Sequence, residues 1–221
     1  MKNLRLAMLA AGLLLAACSP ADEPASAVNP VPAVIVPVDI VPVDILPVSN
    51  VPADIVRLPD CQGQRHAPLA ATGDAVHVIL FISHECPIAN GYAPTVRELH
   101  EEWSKNSRVR LFLVHVDPDF SAAAARVHAK DYELPGTILM DPEQALARQC
   151  GATITPEAIV VSAAGIGYRG RIDDQWRKLG SRAPEASQHD LADAVASVLA
   201  GLPVAQPFPK AVGCLMPEPR R

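Results

Sequence analysis

The chain has 221 residues, a formal charge of −5 and 49% hydrophobic residues, which is enough apolar material for a real core and too little positive charge for a nucleic-acid partner. Its five cysteines form no Cys-x-Cys or Cys-x-x-Cys pair and its seven histidines are scattered, so no metal centre is expected. No cofactor is implied either.

In chain order, Lys2 and Arg5 precede an apolar run from Leu6 to Ala17. About twelve residues cannot cross ~30 Å of hydrocarbon, so the run reads as a secretory signal and not as a membrane span. It ends in Leu15-Ala16-Ala17-Cys18, which resembles the bacterial lipobox. That resemblance implies removal of residues 1–17 and acylation of Cys18, hence a cell-envelope protein that faces the periplasm and meets the membrane through a lipid anchor. Ser19 resembles the following residue of lipoproteins passed on to the outer membrane in Gram-negative cells. Acyl chains contribute ~0.8 kcal/mol per buried methylene, so such an anchor needs no transmembrane helix. Loss of residues 1–17 removes two bases and no acid, leaving −7.

Residues 18–57 read as a tether. Within them "VPVDIVPVDILPVSNVP" repeats proline every five residues, at Pro37, Pro42, Pro47 and Pro52. Proline fixes φ and removes a donor, so an extended, semi-rigid spacer is expected. Residues 58–203 are long enough for one domain, and residues 204–221 form a tail whose "AVGCLMP" is too apolar for a solvated terminus, so it is expected to fold back on the domain.

The domain alternates buried strands and helices. "AVHVILFIS" (75–83) is a continuous apolar run and reads as a central strand. A helix to Ser104 follows, with Val96, Leu99 and Trp103 on one face. A strand over 109–116, an alanine-rich helix over 121–132, a short strand over 137–140 and a helix over 143–150 come next. The segment 158–162 is a further buried strand, and Gly165-Ile166-Gly167 is expected to turn into a strand over 168–172. There Arg169 and Arg171 alternate and should share one face as a solvated ion-pairing patch. The last helix, 187–199, is expected to start with a capping box of Ser187 and Asp190. Such alternation predicts an α/β fold with a mixed central sheet and helices on both faces.

Two short stretches carry the chemistry. "SHECPIANGYAP" (83–94) places Cys86 at a strand-to-helix junction, and "TITPEAIVV" places Thr155-Pro156 before a core strand. A cysteine at a helix start has its thiolate stabilised by free N–H groups and the helix dipole, so it is a usable nucleophile. Glu85 beside it opposes that effect, and His84 offsets Glu85 if protonated.

With Pro94 eight residues after the cysteine, these motifs and "YRGRIDD" resemble the thioredoxin superfamily, in particular a redoxin subgroup that keeps Cys-Pro without Cys-x-x-Cys. The resemblance covers about residues 60–200. It implies a thioredoxin-like three-layer sandwich, a cis-proline at Pro156 facing the sulfur, and Cys86 as the reactive thiol.

Ala89 stands where a second cysteine would complete the local pair, so Cys86 works alone or with a distant sulfur. Setting Cys18 aside, the remaining four thiols allow three pairings, and spacing does not choose among them. The Gly213-Cys214 tail resembles tails of the same subgroup, which favours Cys86 with Cys214 and leaves Cys61 and Cys150 as a second bridge or two free thiols. Three function classes follow. The preferred one is thiol-disulfide exchange on a protein or small-thiol disulfide, Cys86 attacking and Cys214 resolving. The second is peroxide reduction through a sulfenic acid: peroxiredoxins resemble the chain in Ser83, three residues before the cysteine, but carry a proline where Ile79 stands. The third is a copper-binding or degenerate module, although Asn90 replaces the second cysteine of the copper-carrying relatives and a site would need Cys86, Cys214 and His84 or His115.

Overall fold

The computed structural model describes residues 55–219, so the signal segment, Cys18 and all but the end of the tether lie outside the described residues. A ribbon of β1 (Leu58–Pro59) and β2 (Arg65–His66) leads into β3 (Val76–Ile82), α1 (Pro87–Gly91) and α2 (Ala93–Ser104). β4 (Val109–His115), α3 (Ala122–Asp131), β5 (Thr137–Met140) and α4 (Ala145–Cys150) follow. β6 (Ile154–Thr155) precedes the hairpin of β7 (Glu157–Ser162) and β8 (Gly165–Gly170), then a ribbon of β9 (Trp176–Lys178) and β10 (Ser181–Arg182). α5 (Asp190–Leu199) and β11 (Cys214–Leu215) complete the described chain.

The main sheet runs β5-β4-β3-β7-β8, with β3 parallel to β4 and antiparallel to β7. Every residue of β3 is buried, as a continuous apolar run demands of a strand covered on both faces. Alternate side chains divide the core. Val78, Leu80 and Ile82 pack with Val96 and Trp103 of α2 and with Leu191 and Val195 of α5. Ile79 and Phe81 pack on the other face with Leu146 and Ala147 of α4. The result is the three-layer thioredoxin-like α/β sandwich that the sequence leads one to expect, and no described helix is long and apolar enough to cross a membrane.

Local departures have local causes. The helix after Cys86 breaks at Tyr92, because Pro94 has no N–H to continue the ladder; Tyr92 instead closes α1 and sends its hydroxyl to Asp173 Oδ1 at 2.6 Å. β8 starts at Gly165, three residues before its expected start: the turn is Ala163-Ala164, and the register shifts where Gly167 bulges from the ladder. Ser187 and Asp190 form no capping box. Ser187 bonds Asp174, Asp190 takes Arg171 at 2.7 Å, and α5 begins without a side-chain cap. The two arginines part company: Arg169 donates to the Gly151 carbonyl at the end of α4 (2.9 Å), while Arg171 turns to the start of α5. The strand ends at Gly170, so the alternation that should have paired them stops between them.

The segment after α5 closes the open edge of the sheet. Arg169 N–H donates to the Pro207 carbonyl at 2.9 Å and Arg171 N–H to that of Pro209 at 3.3 Å, so prolines cap an edge they cannot extend. Further on, Cys214 pairs with Thr155 and Leu215 with Ile154 in an antiparallel ribbon. The approach is too close for side chains. A Cβ on Gly170 would overlap the Pro209 carbonyl oxygen, and one on Gly213 would overlap that of Thr155.

Gly213→Ala is therefore expected to lift the tail from β6. Overpacking of this kind costs about 1–3 kcal/mol, so tryptic cleavage at Lys210-Ala211 in the native protein should speed up roughly tenfold or more. An unchanged cleavage rate would show that the tail is not held at this point.

Candidate functional site

Cys86 occupies the cap position of α1 in extended conformation, and its sulfur accepts from the Ala89 N–H at 3.4 Å. Pro87 takes the first helical position, where no amide is missed. The peptide between Thr155 and Pro156 is cis. The Thr155 carbonyl oxygen lies 3.0 Å from the Cys86 sulfur, and the Cys214 sulfur lies 2.9 Å from it. Cys86, Thr155, Pro156 and Cys214 thus converge, although the two sulfurs are 128 residues apart in the chain. A disulfide is about 2.05 Å long, so less than about 1 Å of movement separates the two thiols from one. Cys86 is 1% exposed; Cys214, which lies over it, is partly exposed.

The pair divides its acidity unequally. Burial pushes the Cys86 thiol up, but hydrogen bonds from the Cys214 thiol and then the Ala89 N–H outweigh it, and the net shift is downward. Cys214 is pushed up to about 11, by burial, by the hydrogen bond it gives Cys86 and by the charge that forms there. The first proton to leave the pair therefore comes from Cys86, and Cys214 keeps the second. Glu85, the residue expected to oppose this, turns its side chain into solvent.

A second polar cluster lies beside the site and was not legible as a unit in the sequence. Asp117 accepts from Ser83 Oγ at 2.5 Å and from the His84 N–H at 3.2 Å, with His84 Nδ1 and His115 Nδ1 at 3.2 and 3.5 Å. Despite the opposing effect of burial, these partners hold its carboxyl down at about 2. Ser83 is thus committed to Asp117, and His84 to Asp117 and a stacked Phe120. His128 reaches Asn90 Oδ1 at 2.9 Å. Asn90 in turn donates to the His84 carbonyl, which ties α3 to the loop that presents Cys86. Among the described residues no three His, Cys, Asp or Glu side chains are grouped to hold a metal ion.

The other two thiols are not joined. Cys150 is buried at the end of α4, where burial, reinforced by Asp141 and Glu157, pushes it up to about 12. Cys61 lies in the loop between β1 and β2, with its carbonyl taken by Arg126. Both are free thiols.

A cysteine at the end of a central strand, facing a cis-proline turn in a sheet of this order, defines a thioredoxin-like fold. The chain belongs to the AhpC/TSA family, which matches residues 50–170. Cys86, Thr155 and Pro156 fall inside that match; Cys214 falls outside it. No curated protein matches the chain. Among solved structures, an uncharacterized conserved protein of Geobacillus kaustophilus aligns with a TM-score of 0.64 at 22% identity, covering 76% of this chain and 92% of that one. A hypothetical protein of Sinorhizobium meliloti aligns at 0.61 and 21%, covering 74% and 91%. A secreted disulfide oxidoreductase of Mycobacterium tuberculosis aligns at 0.47 and 18%, covering 67% and 96%.

Two outcomes check this description. Ultraviolet titration of the reduced protein should show one thiolate forming below the ordinary thiol range, and Cys214→Ala should move it upward because the donor to Cys86 is gone; an unmoved value would refute the coupling. Burial, with repulsion from His115 and His84, lowers His128 to about 4, so the fold favours its neutral ring. Its stabilising contribution is intact above the ordinary value near 6.5 and drains away as pH falls toward 4. Asp117 adds no loss until its own lower window. Melting temperatures measured between pH 7 and 4.5 should fall less steeply for His128→Gln, and equal slopes would acquit the ring.

Proposed function

We propose that the chain is a thiol-disulfide oxidoreductase of the cell envelope that works through Cys86 and Cys214. The observation that carries the reading is the 2.9 Å approach of the two sulfurs beside the Thr155-Pro156 turn. Cys86 is the nucleophile and the better leaving group, since exchange is fastest from and through the thiol with the lower pKa. Cys214 is its disulfide partner. It replaces the local second cysteine whose place Ala89 occupies, and the electrons cycle between the reduced pair and the Cys86–Cys214 bond.

The same geometry disfavours peroxide reduction. Ser83, the residue that points to that chemistry, gives its hydroxyl to Asp117 and not to Cys86. The envelope location and lipid anchor rest on the signal-like run and Cys18, and the substrates in that setting are disulfides or thiols of proteins or small molecules. Thiols outside the cytoplasm meet conditions in which disulfides form and persist.

The test compares wild type, Cys86→Ser and Cys214→Ser in two assays, dithiol-driven reduction of insulin and consumption of hydrogen peroxide. Exchange activity should fall to the uncatalysed background in Cys86→Ser and drop strongly in Cys214→Ser, and peptide mapping of the oxidised wild type should find Cys86 linked to Cys214. Peroxide consumption that depends on Cys86, without exchange activity, would replace this reading by the peroxidase one. A Cys86 bonded instead to Cys61 or Cys150 would remove Cys214 from the mechanism.

A further inference from the structure

A pocket of about 700 Å³ lies along the tail and extends to Gly213. Its wall includes Gly213, next to Cys214, and Ile154, next to Thr155. The size suits a small molecule, not a protein surface. Its charge is predominantly positive. Lys210 on the tail and Arg177 and Lys178 on β9 line it, are exposed, and have no ion pair or hydrogen-bonded side-chain partner among the described residues. A fourth base, Arg171, is already neutralised by Asp190. The one acid on the wall, Asp174, accepts hydrogen bonds from Ser187 and Gln188 and stays ionised, so the three unpaired bases leave the wall net positive. Three unpaired cations around a pocket, in a chain that is net acidic, are a local inversion of charge that attracts an anion.

Cys86 is 1% exposed beneath the tail, so the sulfur that an incoming molecule meets first is that of Cys214. The geometry points to a binding site for a small carboxylate-bearing thiol, whose sulfur exchanges with Cys214 while its carboxylates rest among Arg177, Lys178 and Lys210. This inference rests on the thiol-exchange reading above and names its substrate class and point of attack. The thiolate of the small molecule attacks the Cys214 sulfur of the oxidised pair. A bond forms between them, the Cys86–Cys214 bond breaks, and its electron pair leaves on Cys86 as a thiolate. A second thiolate then attacks the small-molecule sulfur of the mixed disulfide. The small disulfide departs, and the electron pair returns to Cys214, which takes up a proton. Two small thiols are oxidised to one disulfide, and the protein disulfide is reduced to the dithiol.

The experiment follows reduction of the full-length oxidised protein by glutathione, 2-mercaptoethanol and cysteamine, which are anionic, neutral and cationic, with each rate expressed per thiolate. At low ionic strength glutathione should be about tenfold faster than 2-mercaptoethanol, and cysteamine slower than both. Lys178→Glu and Lys210→Glu should each remove most of the glutathione advantage while leaving the 2-mercaptoethanol rate within about twofold; these side chains are exposed and unpaired, so the fold is not at stake. Rapid quenching with an alkylating agent should find glutathione on Cys214 and the alkyl group on Cys86. Rates that ignore charge, variants that slow all three thiols alike, or glutathione trapped on Cys86 would overturn the proposal and leave thiol exchange standing. Failure of the oxidised protein to contain a Cys86–Cys214 bond would overturn both.

Discussion

The site depends on one backbone event, the docking of the C-terminal segment onto the sheet edge and the Thr155-Pro156 turn. Two N–H groups of β8 and its extension find carbonyls on Pro207 and Pro209, and Cys214-Leu215 then pairs with Ile154-Thr155. The ladder positions the second sulfur, covers the first and builds one wall of the basic pocket. Edge groups that would otherwise invite another strand are consumed in the process. Glycine is required at Gly213 because the tail passes too near the Thr155 carbonyl for any side chain.

Placing the second sulfur on a tail changes the logic of the pair. In a Cys-x-x-Cys site both thiols ride on one helix turn, and their spacing is guaranteed locally. Here each side contributes something different. The loop after β3 supplies a capped, buried thiol with a lowered pKa, and the tail supplies an accessible thiol with a raised one. A bond between them would close a loop of more than a hundred residues, which in the chain-entropy account removes roughly 5 kcal/mol of freedom from the unfolded state. The redox state and the hold of the tail on the domain are then one property.

The polar cluster on Asp117 has a supporting part. It anchors Ser83 and His84 immediately before Cys86, and the bond from His128 to Asn90 ties α3 to the helix after it. Both flanks of Cys86 are thereby fixed to neighbouring elements. Several ring nitrogens in the cluster are buried without a hydrogen-bond partner, among them both of His115. Of these rings, His128 is held neutral by its burial, so acid costs the cluster stability through that ring.

The strands, the helix after Cys86 and the presence of a Cys-Pro and a Thr-Pro motif were legible from the residues alone, because buried strands are continuous apolar runs and proline has few tolerated places. Periodicity misjudged the elements whose ends are set by long-range partners: Ser187 and Asp190 cap nothing because Asp174 and Arg171 claim them, and β8 begins early because Gly167 can bulge. Four cysteines at uninformative spacings left three pairings open, and only the folded chain decided which sulfurs meet. Local sequence determines what a residue can do, namely ionise, cap, turn or pack. Which of those capacities is used is settled by neighbours as far as 128 residues away, and here by a tail whose apolar residues announce contact with the domain but whose register on Ile154-Thr155 is a tertiary hydrogen-bond ladder.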